Sequence, residues 1–104
     1  MNTVSLPDGT VYIKYSTAAH LLATAMCPRR EQYRDVYVSV DRKLSRAVEL
    51  GDLMARDPLT HRRHSYPVGN ALREADLLVE DLKYYVAGHE LPTIELSANA
   101  ADLA

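Results

Sequence analysis

The sequence predicts a small, mainly helical α+β domain with an N-terminal hairpin, a long central helix, a second hairpin and a C-terminal helix. Apolar side chains in residues 29–51 recur at steps of three and four, as along one face of a helix. Short strand-like runs flank turn residues before and after this segment. The chain of 104 residues has room for one domain and one hydrophobic core.

The N-terminal hairpin is predicted from two strand-like runs, at residues 4–6 and 11–15, around Pro7-Asp8-Gly9. Proline pre-sets the backbone for a turn, and glycine accepts the positive φ that closes it. Alternate residues of the second run would share one face. Because an isolated hairpin is only marginally stable, we expect that face to pack on the helices.

A first helix is expected to follow the hairpin and to reach Met26. Ser16 and Thr17 offer hydroxyls that could cap its start, and Pro28 would stop it. Its alanines would allow close approach to a neighbouring helix. The expected inward stripe consists of Ala18, Leu21, Leu22 and Ala25.

The long central helix is the most strongly patterned part of the chain. Pro28 suits a position at its start, and Gly51 suits the position just after its end. At 1.5 Å per residue its length would be roughly 30 Å, enough to span a domain of this size. Its stripe consists of Tyr33, Val36, Tyr37, Val40, Leu44, Ala47 and Val48.

After Gly51 we expect a strand over residues 52–56, a turn over residues 57–60 and a returning strand over residues 61–66. Residues 70–87 allow two interpretations. The periodicity favours a single amphipathic helix, and the alternative is a strand over residues 77–79 followed by a helix from about residue 80. A last edge strand is expected over residues 93–96. Residues 1–96 would form one domain, with residues 97–104 as a flexible tail.

Composition limits the setting of the protein. The single cysteine, Cys27, excludes an intrachain disulfide and suits a reducing compartment. There is no apolar run near the ~20 residues that a membrane span needs, and no signal-peptide pattern. We therefore expect a soluble, cytoplasmic protein that does not contact membranes.

No motif in the sequence indicates catalysis. A glycine-rich phosphate loop, GxSxG and HExxH are all missing from the sequence. His61 and His64 would supply only two metal ligands, and the arginines between them repel a cation. Cys27 lacks an identifiable base, so a buried structural thiol is expected. We predict a non-catalytic protein with no metal, cofactor or small-molecule substrate.

Charge is unevenly distributed along the chain. The net charge is −2, yet residues 28–64 carry nine basic against six acidic side chains, and residues 65–104 carry two against seven. Arg62 and Arg63, flanked by His61 and His64, would form a basic hairpin tip able to contact phosphates. The basic middle of the chain is therefore the first place to look for a binding surface.

The long helix carries a basic group at each end. Cations at a helix N-terminus face an unfavourable dipole, so the group there indicates an external anion or acidic partner. That group consists of Arg29, Arg30 and Arg34. Cations near the C-terminus are stabilised by the dipole, and we expect Arg42, Lys43 and Arg46 to pair with Asp41, Glu49 and Asp52.

The order of elements resembles that of phage excisionases and MerR-like winged helix-turn-helix proteins. The resemblance rests on three segments, YIKYSTAAHLLA, LMARDPLTHRRHSY and VEDLKYYVAG, which are similar to the first helix, the hairpin wing and the closing helix of that group. It implies that the second helix enters the major groove and that the wing reaches the backbone or minor groove. The groove-facing residues that it implies are Arg29, Arg30 and Arg34, with Arg62 and Arg63 on the wing.

Two functions follow as expectations. The first is a DNA-binding accessory or regulatory protein of a phage or mobile element that contacts double-stranded DNA. The second is a protein-interaction module, homodimeric or bound to a basic partner through its acidic C-terminal helix. Tyr84 falls outside the apolar stripe of that helix and is its candidate contact residue, whereas Tyr33, Tyr37 and Tyr85 are expected to fill the core.

Overall fold

A computed structural model describes residues 3–27, 29–64 and 69–97, and it confirms the α+β class. Four helices and four short strands make up the described part of the chain. In order they are β1 (Thr3–Pro7), β2 (Tyr12–Lys14), α1 (Tyr15–Met26), a 3₁₀ turn (Arg30–Gln32), α2 (Tyr33–Leu50), α3 (Gly69–Glu74), β3 (Asp76–Leu78), α4 (Val79–Ala87) and β4 (Thr93–Ser97).

The predicted N-terminal hairpin is wrong, although its turn is present. Thr10 donates its backbone N–H to the Pro7 carbonyl at 3.2 Å, and Gly9 has a φ of +89°. The strands on either side of this turn join different partners. β1 pairs in parallel with β4, and β2 pairs antiparallel with β3. Alternation in a short strand sets which face is buried, but it does not specify which strand lies alongside.

Helices α1 and α2 form a helical pair at the centre of the fold. Ala19 and Ala23 are fully buried on α1, and small side chains allow the two helices to approach closely. Helix α1 begins at Tyr15, one or two residues before the expected capping residues Ser16 and Thr17, and no side chain caps it. The Tyr15 N–H instead donates to the Ala75 carbonyl at 2.8 Å, so a distant segment satisfies the first turn.

The long central helix is confirmed as α2, but it begins at Tyr33 rather than at about Arg29, after the 3₁₀ turn at Arg30–Gln32. Pro28, its expected start, lies outside the described residues. Val40, Leu44 and Ala47 are buried, and the other members of the predicted stripe pack against the core as partly buried residues. Gly51 closes the helix in the left-handed region, with a φ of +86°. No helix within residues 3–27, 29–64 and 69–97 combines the length and the apolar character needed to cross a membrane.

For residues 70–87 the favoured single helix is wrong, and the strand-plus-helix alternative is confirmed. The helix is interrupted at Ala75, and residues 76–78 form β3 before α4 begins at Val79. The apolar positions of this segment satisfy both periodicities over a short window. Strand pairing decides between helix and strand, because the backbone of β3 is hydrogen-bonded to β2 and also to Arg56.

The segment after α2 is a loop with one antiparallel contact rather than a two-stranded ladder. Asp52 and Leu53 both donate their N–H groups to the Ala47 carbonyl, so they extend the helix end, and the predicted strand over residues 52–56 is wrong. The chain does turn back, with a single bridge between Arg56 and Arg63. We call residues 56–63 the β3 loop, since Arg56 also bridges to Asp76 of β3.

One hydrophobic core joins these elements. Its largest fully buried side chains come from α1, α2, β3 and α4, and they are Tyr15, Leu22, Val40, Leu44, Leu77, Leu82 and Val86. The predicted strand near the C-terminus is confirmed as β4, whose Ser97 hydroxyl donates to the Leu6 carbonyl. Residues 65 and 66 of the predicted second hairpin and residues 98–104 of the predicted tail lie outside the described ranges.

Candidate nucleic-acid interface

The outer face of α2 carries a row of exposed cationic side chains. Arg34, Arg42 and Arg46 lie at four-residue spacings interrupted only by Val38, and each step of four turns by about 40° around the helix. Lys43 lies beside Arg42 and Arg46 and is also exposed. We call Arg34, Arg42, Lys43 and Arg46 the α2 basic face.

The cations of the α2 basic face have no intramolecular partners among the described residues. The expected ion pairs of Arg42, Lys43 and Arg46 with Asp41, Glu49 and Asp52 are not formed within the described ranges, so that prediction is wrong. The one hydrogen bond between Arg42 and a side chain in the described ranges is accepted by its backbone carbonyl, from the Ser45 hydroxyl, and does not involve the guanidinium. Cations without partners remain available to an external anion.

The Asp41 carboxylate is hydrogen-bonded to α1 and forms no ion pair with the basic face in the described ranges. The Tyr15 hydroxyl approaches both the Asp41 carboxylate and the Asp41 backbone carbonyl, at 2.8 and 2.9 Å. Burial of the ring, together with the neighbouring carboxylate, raises the pKa of Tyr15 well above its usual range. The tyrosine therefore stays protonated and directs the Asp41 carboxylate toward α1.

Two shallow grooves follow the basic face. The first, of about 360 Å³, is open to solvent and runs between Val38, Arg42 and Arg46 on the surface of α2. The second, of about 320 Å³, lies between α2 and α4 and includes Lys43, Arg46, Tyr85 and His89. Carboxylates also line both grooves, Asp35 in the first and Asp52 and Glu90 in the second, so the excess of cations is confined to the first. An open groove of this kind suits an extended ligand better than an enclosed small molecule.

The predicted cations at the start of α2 are exposed. Arg29 and Arg30 lie at the 3₁₀ turn, and Arg34 follows in the first turn of α2. Cys27 is only half-buried, so the expected burial of its thiol is wrong; its Sγ donates to the Arg29 carbonyl. A further cleft of about 480 Å³ beside this turn includes His20, Cys27 and Tyr33.

The HRRH run divides into two histidines held against the protein and two exposed arginines. The His61 ring stacks on Tyr12 with centroids 4.0 Å apart, and its Nε2 lies 3.3 Å from Asp76. His64 is half-buried, and its backbone N–H donates to the Ala55 carbonyl. Arg62 and Arg63 are exposed. His61 within the β3 loop and His64 just after it make structural contacts, so the two arginines are the candidate phosphate contacts of the loop.

The two predicted basic groups do not form one cluster. Arg29, Arg30 and Arg34 lie at the start of α2, whose 18 residues span about 27 Å. The β3 loop begins after the other end of α2 and is held at β3. The α2 basic face shares Arg34 with the first group and continues along α2 to Arg46. The sequence shows its four-residue spacing, but only the structure shows that Asp41 is bonded elsewhere.

Metal ligands are not gathered in the described part of the chain, where no three His, Cys, Asp or Glu side chains lie close enough to hold an ion. A comparison of the chain with protein-family models, with curated proteins and with solved structures finds no match to any of them.

Proposed function

We propose that this protein is a small, non-catalytic, cytoplasmic DNA-binding protein that acts as an accessory factor or transcription regulator of a phage or mobile element. The observation that carries the proposal is the α2 basic face, a row of exposed cations without intramolecular partners in the described ranges. A side chain that is charged, exposed and unpaired gains most from a phosphate, whose condensed counterions it releases.

The shape of α2 is compatible with a duplex. The major groove of B-DNA is about 12 Å wide and admits one α-helix, and α2 lies at the surface with one whole side exposed. The exposed side of α2 carries four cations and two acidic side chains, Asp35 and Glu49, and so has a local excess of positive charge. Charges beyond about 10 Å are screened at 0.1 M salt, so this local excess outweighs the net charge of −2 on the whole chain.

The β3 loop supplies a second contact. It is attached to the edge of β3, as the wing of a winged helix is attached to its sheet, and it exposes Arg62 and Arg63. A winged-helix-like arrangement would place α2 in the major groove and this loop on the adjacent backbone or minor groove. Arg29, Arg30 and Arg34 would contact phosphates at the start of the helix.

The test is a salt-dependent titration of a fluorescent duplex with the full chain. Each phosphate contact contributes about −0.9 to the slope of log K against log[salt], so four contacts from the α2 basic face predict a slope of about −4 or steeper. Arg42→Gln/Arg46→Gln should weaken binding and flatten the slope by about 2. Wild-type protein that binds no duplex at low salt would contradict the proposal.

Arg73→Gln is the matched control for this titration. Arg73 is exposed on α3, which packs on α1, so the variant removes one positive charge from outside the basic face. It should leave the slope unchanged. If Arg73→Gln lost as much affinity per charge removed as Arg42→Gln/Arg46→Gln does, net charge rather than the α2 basic face would govern binding.

A second candidate function is protein interaction, favoured by Tyr84. Its side chain is 86% exposed on α4, one turn from Glu80, although a large aromatic ring is costly to leave in water. A homodimer, or a basic partner bound to this acidic face, would cover it. Light scattering over a dilution series tests the homodimer, with Tyr84→Ser expected to shift the protein to monomer. A monomer at every concentration counts against the homodimer.

A further inference from the structure

Leu59 is held in solvent at the tip of the β3 loop. Its side chain is 91% exposed, more than any other large hydrophobic side chain in the described ranges. Pro58 precedes it, so two apolar residues form the tip. A leucine in water forgoes the favourable free energy of burying its side chain, and no contact in the described fold provides that burial.

The tip is held in place by side chains of its own loop. The Asp57 carboxylate accepts the backbone N–H groups of Leu59 and Thr60 at 2.8 and 3.2 Å. These two hydrogen bonds lower the pKa of Asp57 below its usual value. The Thr60 hydroxyl accepts the Arg62 N–H at 3.2 Å. The backbone on both sides of Leu59 is therefore constrained.

The base of the loop is closed by further hydrogen bonds. Asp57 donates its N–H to the Arg62 carbonyl, and His61 donates its N–H to the Asp57 carbonyl, each at 2.8 Å. An Arg56 guanidinium nitrogen donates to the His61 carbonyl at 3.0 Å. The loop is thus fixed at both ends as well as at the tip.

His61 adopts a backbone conformation that L residues rarely adopt. Its φ is +59°, the only positive value at a non-glycine residue in the described ranges, and such a conformation is strained for an L residue because Cβ approaches the following carbonyl oxygen. Stacking on Tyr12 and the contact with Asp76 hold it there. Holding His61 in this conformation constrains the backbone that follows the Leu59 tip.

Two exposed cations identify the kind of surface that Leu59 would meet. Arg62 and Arg63 lie three and four residues after Leu59 in the same loop. An apolar tip with guanidinium groups beside it suits a polyanion that has an apolar interior, and a base-pair stack between two phosphate backbones is such a surface. A purely apolar protein pocket would leave the arginines unpaired.

We propose that Leu59 is a wedge that inserts between two base pairs in the minor groove of bound DNA and kinks the duplex, an inference that rests on the proposed DNA-binding function. Arg62 and Arg63 contact the phosphates on either side. Side-chain wedges of this kind partly unstack a base step and bend the duplex by about 20–90°. Pyrimidine–purine steps such as TA unstack most easily and are the expected sites.

The experiment measures bending directly. A duplex with a central TA step carries a donor and an acceptor dye at its two ends, and energy transfer is recorded at saturating protein. Wild-type protein should increase the transfer, because a bend brings the ends together. Leu59→Ser should bind with an unchanged salt slope but lose the increase.

Val11→Ser is the matched control, since Val11 is 56% exposed at a position outside the β3 loop. It should bend the duplex as the wild type does. Thermal melting of each variant shows that it is folded, and only small changes in melting temperature are expected because neither side chain belongs to the buried core.

The outcomes separate this inference from the proposed function. Wild-type protein that binds without bending, or folded Leu59→Ser that bends equally, overturns the wedge and leaves DNA binding in place. A wild type that binds no duplex overturns both. A change in self-association of Leu59→Ser by light scattering, with bending unaltered, assigns Leu59 to a protein contact and overturns the wedge.

Discussion

Replacement of Tyr15 by phenylalanine removes the hydroxyl that joins α1 to α2 and leaves the buried ring in place. The ring itself is fully buried, and its hydroxyl lies 2.8 Å from the Asp41 carboxylate and 2.9 Å from the Asp41 carbonyl. A hydrogen bond to a charged group contributes about 1.5–3 kcal/mol. Asp41 is half-buried, so water can partly replace the lost donor, and we expect a loss near the lower limit, about 1.5 kcal/mol.

Urea denaturation followed by circular dichroism measures this loss as a change in the free energy of unfolding. For a chain of this size, about 1.5 kcal/mol corresponds to a fall of roughly 6–12 °C in the melting temperature. Tyr84→Phe is the matched control. Its ring is exposed and its hydroxyl has no partner in the described ranges, so its change should stay within about 0.5 kcal/mol.

A double-mutant cycle identifies the acceptor. Asp41→Ala removes the carboxylate but keeps the backbone carbonyl, so a coupling of about 0.5–1.5 kcal/mol with Tyr15→Phe would assign the bond to the side chain. Tyr15→Phe that is as stable as the wild type would refute the reasoning. It would show that the hydroxyl gains nothing from Asp41 on folding.

Two further predictions concern the core and alkaline pH. Leu44→Ala, at a fully buried position of α2, should lower the free energy of unfolding by about 2–5 kcal/mol in urea denaturation. Leu50→Ala, at an exposed position of the same helix, is the control and should change it by less than about 0.5 kcal/mol. Equal losses in the two variants would contradict the observed burial. Because the folded-state pKa of Tyr15 is raised, the unfolded chain ionises first as the pH rises. The contribution of Tyr15 to stability is therefore fully present below pH ~10, and it falls above that pH by up to about 1.4 kcal/mol per pH unit. Urea midpoints between pH 8 and 11 measure this fall, which should be shallower in Tyr15→Phe; equal slopes would show that another group causes it.

The candidate site was only partly predictable. Arg29, Arg30, Arg34, Arg62 and Arg63 are exposed in the structure, and residue type alone identifies them as candidates. The histidines beside Arg62 and Arg63 were not separable from them in sequence. Stacking of His61 on Tyr12 depends on two segments that are far apart in the chain, and no local pattern encodes that contact.

For Arg42, Lys43 and Arg46 the sequence led to the opposite error, because it predicted paired cations where the structure has unpaired ones in the described ranges. In sequence, neighbouring carboxylates and a favourable helix dipole account for them, so they did not indicate an interface. The structure changes this interpretation because the Tyr15 hydroxyl is bonded to Asp41, and Glu49 and Asp52 do not come within ion-pair distance of these cations in the described ranges. The sequence shows which charges lie close together along one helix, whereas ion pairing also depends on hydrogen-bond donors from other elements, such as the Tyr15 hydroxyl of α1.

The central helix follows from the sequence alone, since its stripe from Tyr33 to Val48 repeats over about four turns and Gly51 provides the left-handed residue that ends it. The sequence also determined the turn at Pro7-Asp8-Gly9, because the geometry of a turn is local. The tertiary structure alone decided that β1 pairs with β4 and β2 with β3, and that β3 interrupts a helical pattern. Backbone hydrogen bonding in a strand needs a partner from elsewhere in the chain, whereas a helix satisfies its own, so the helix could be predicted from sequence and the sheet could not.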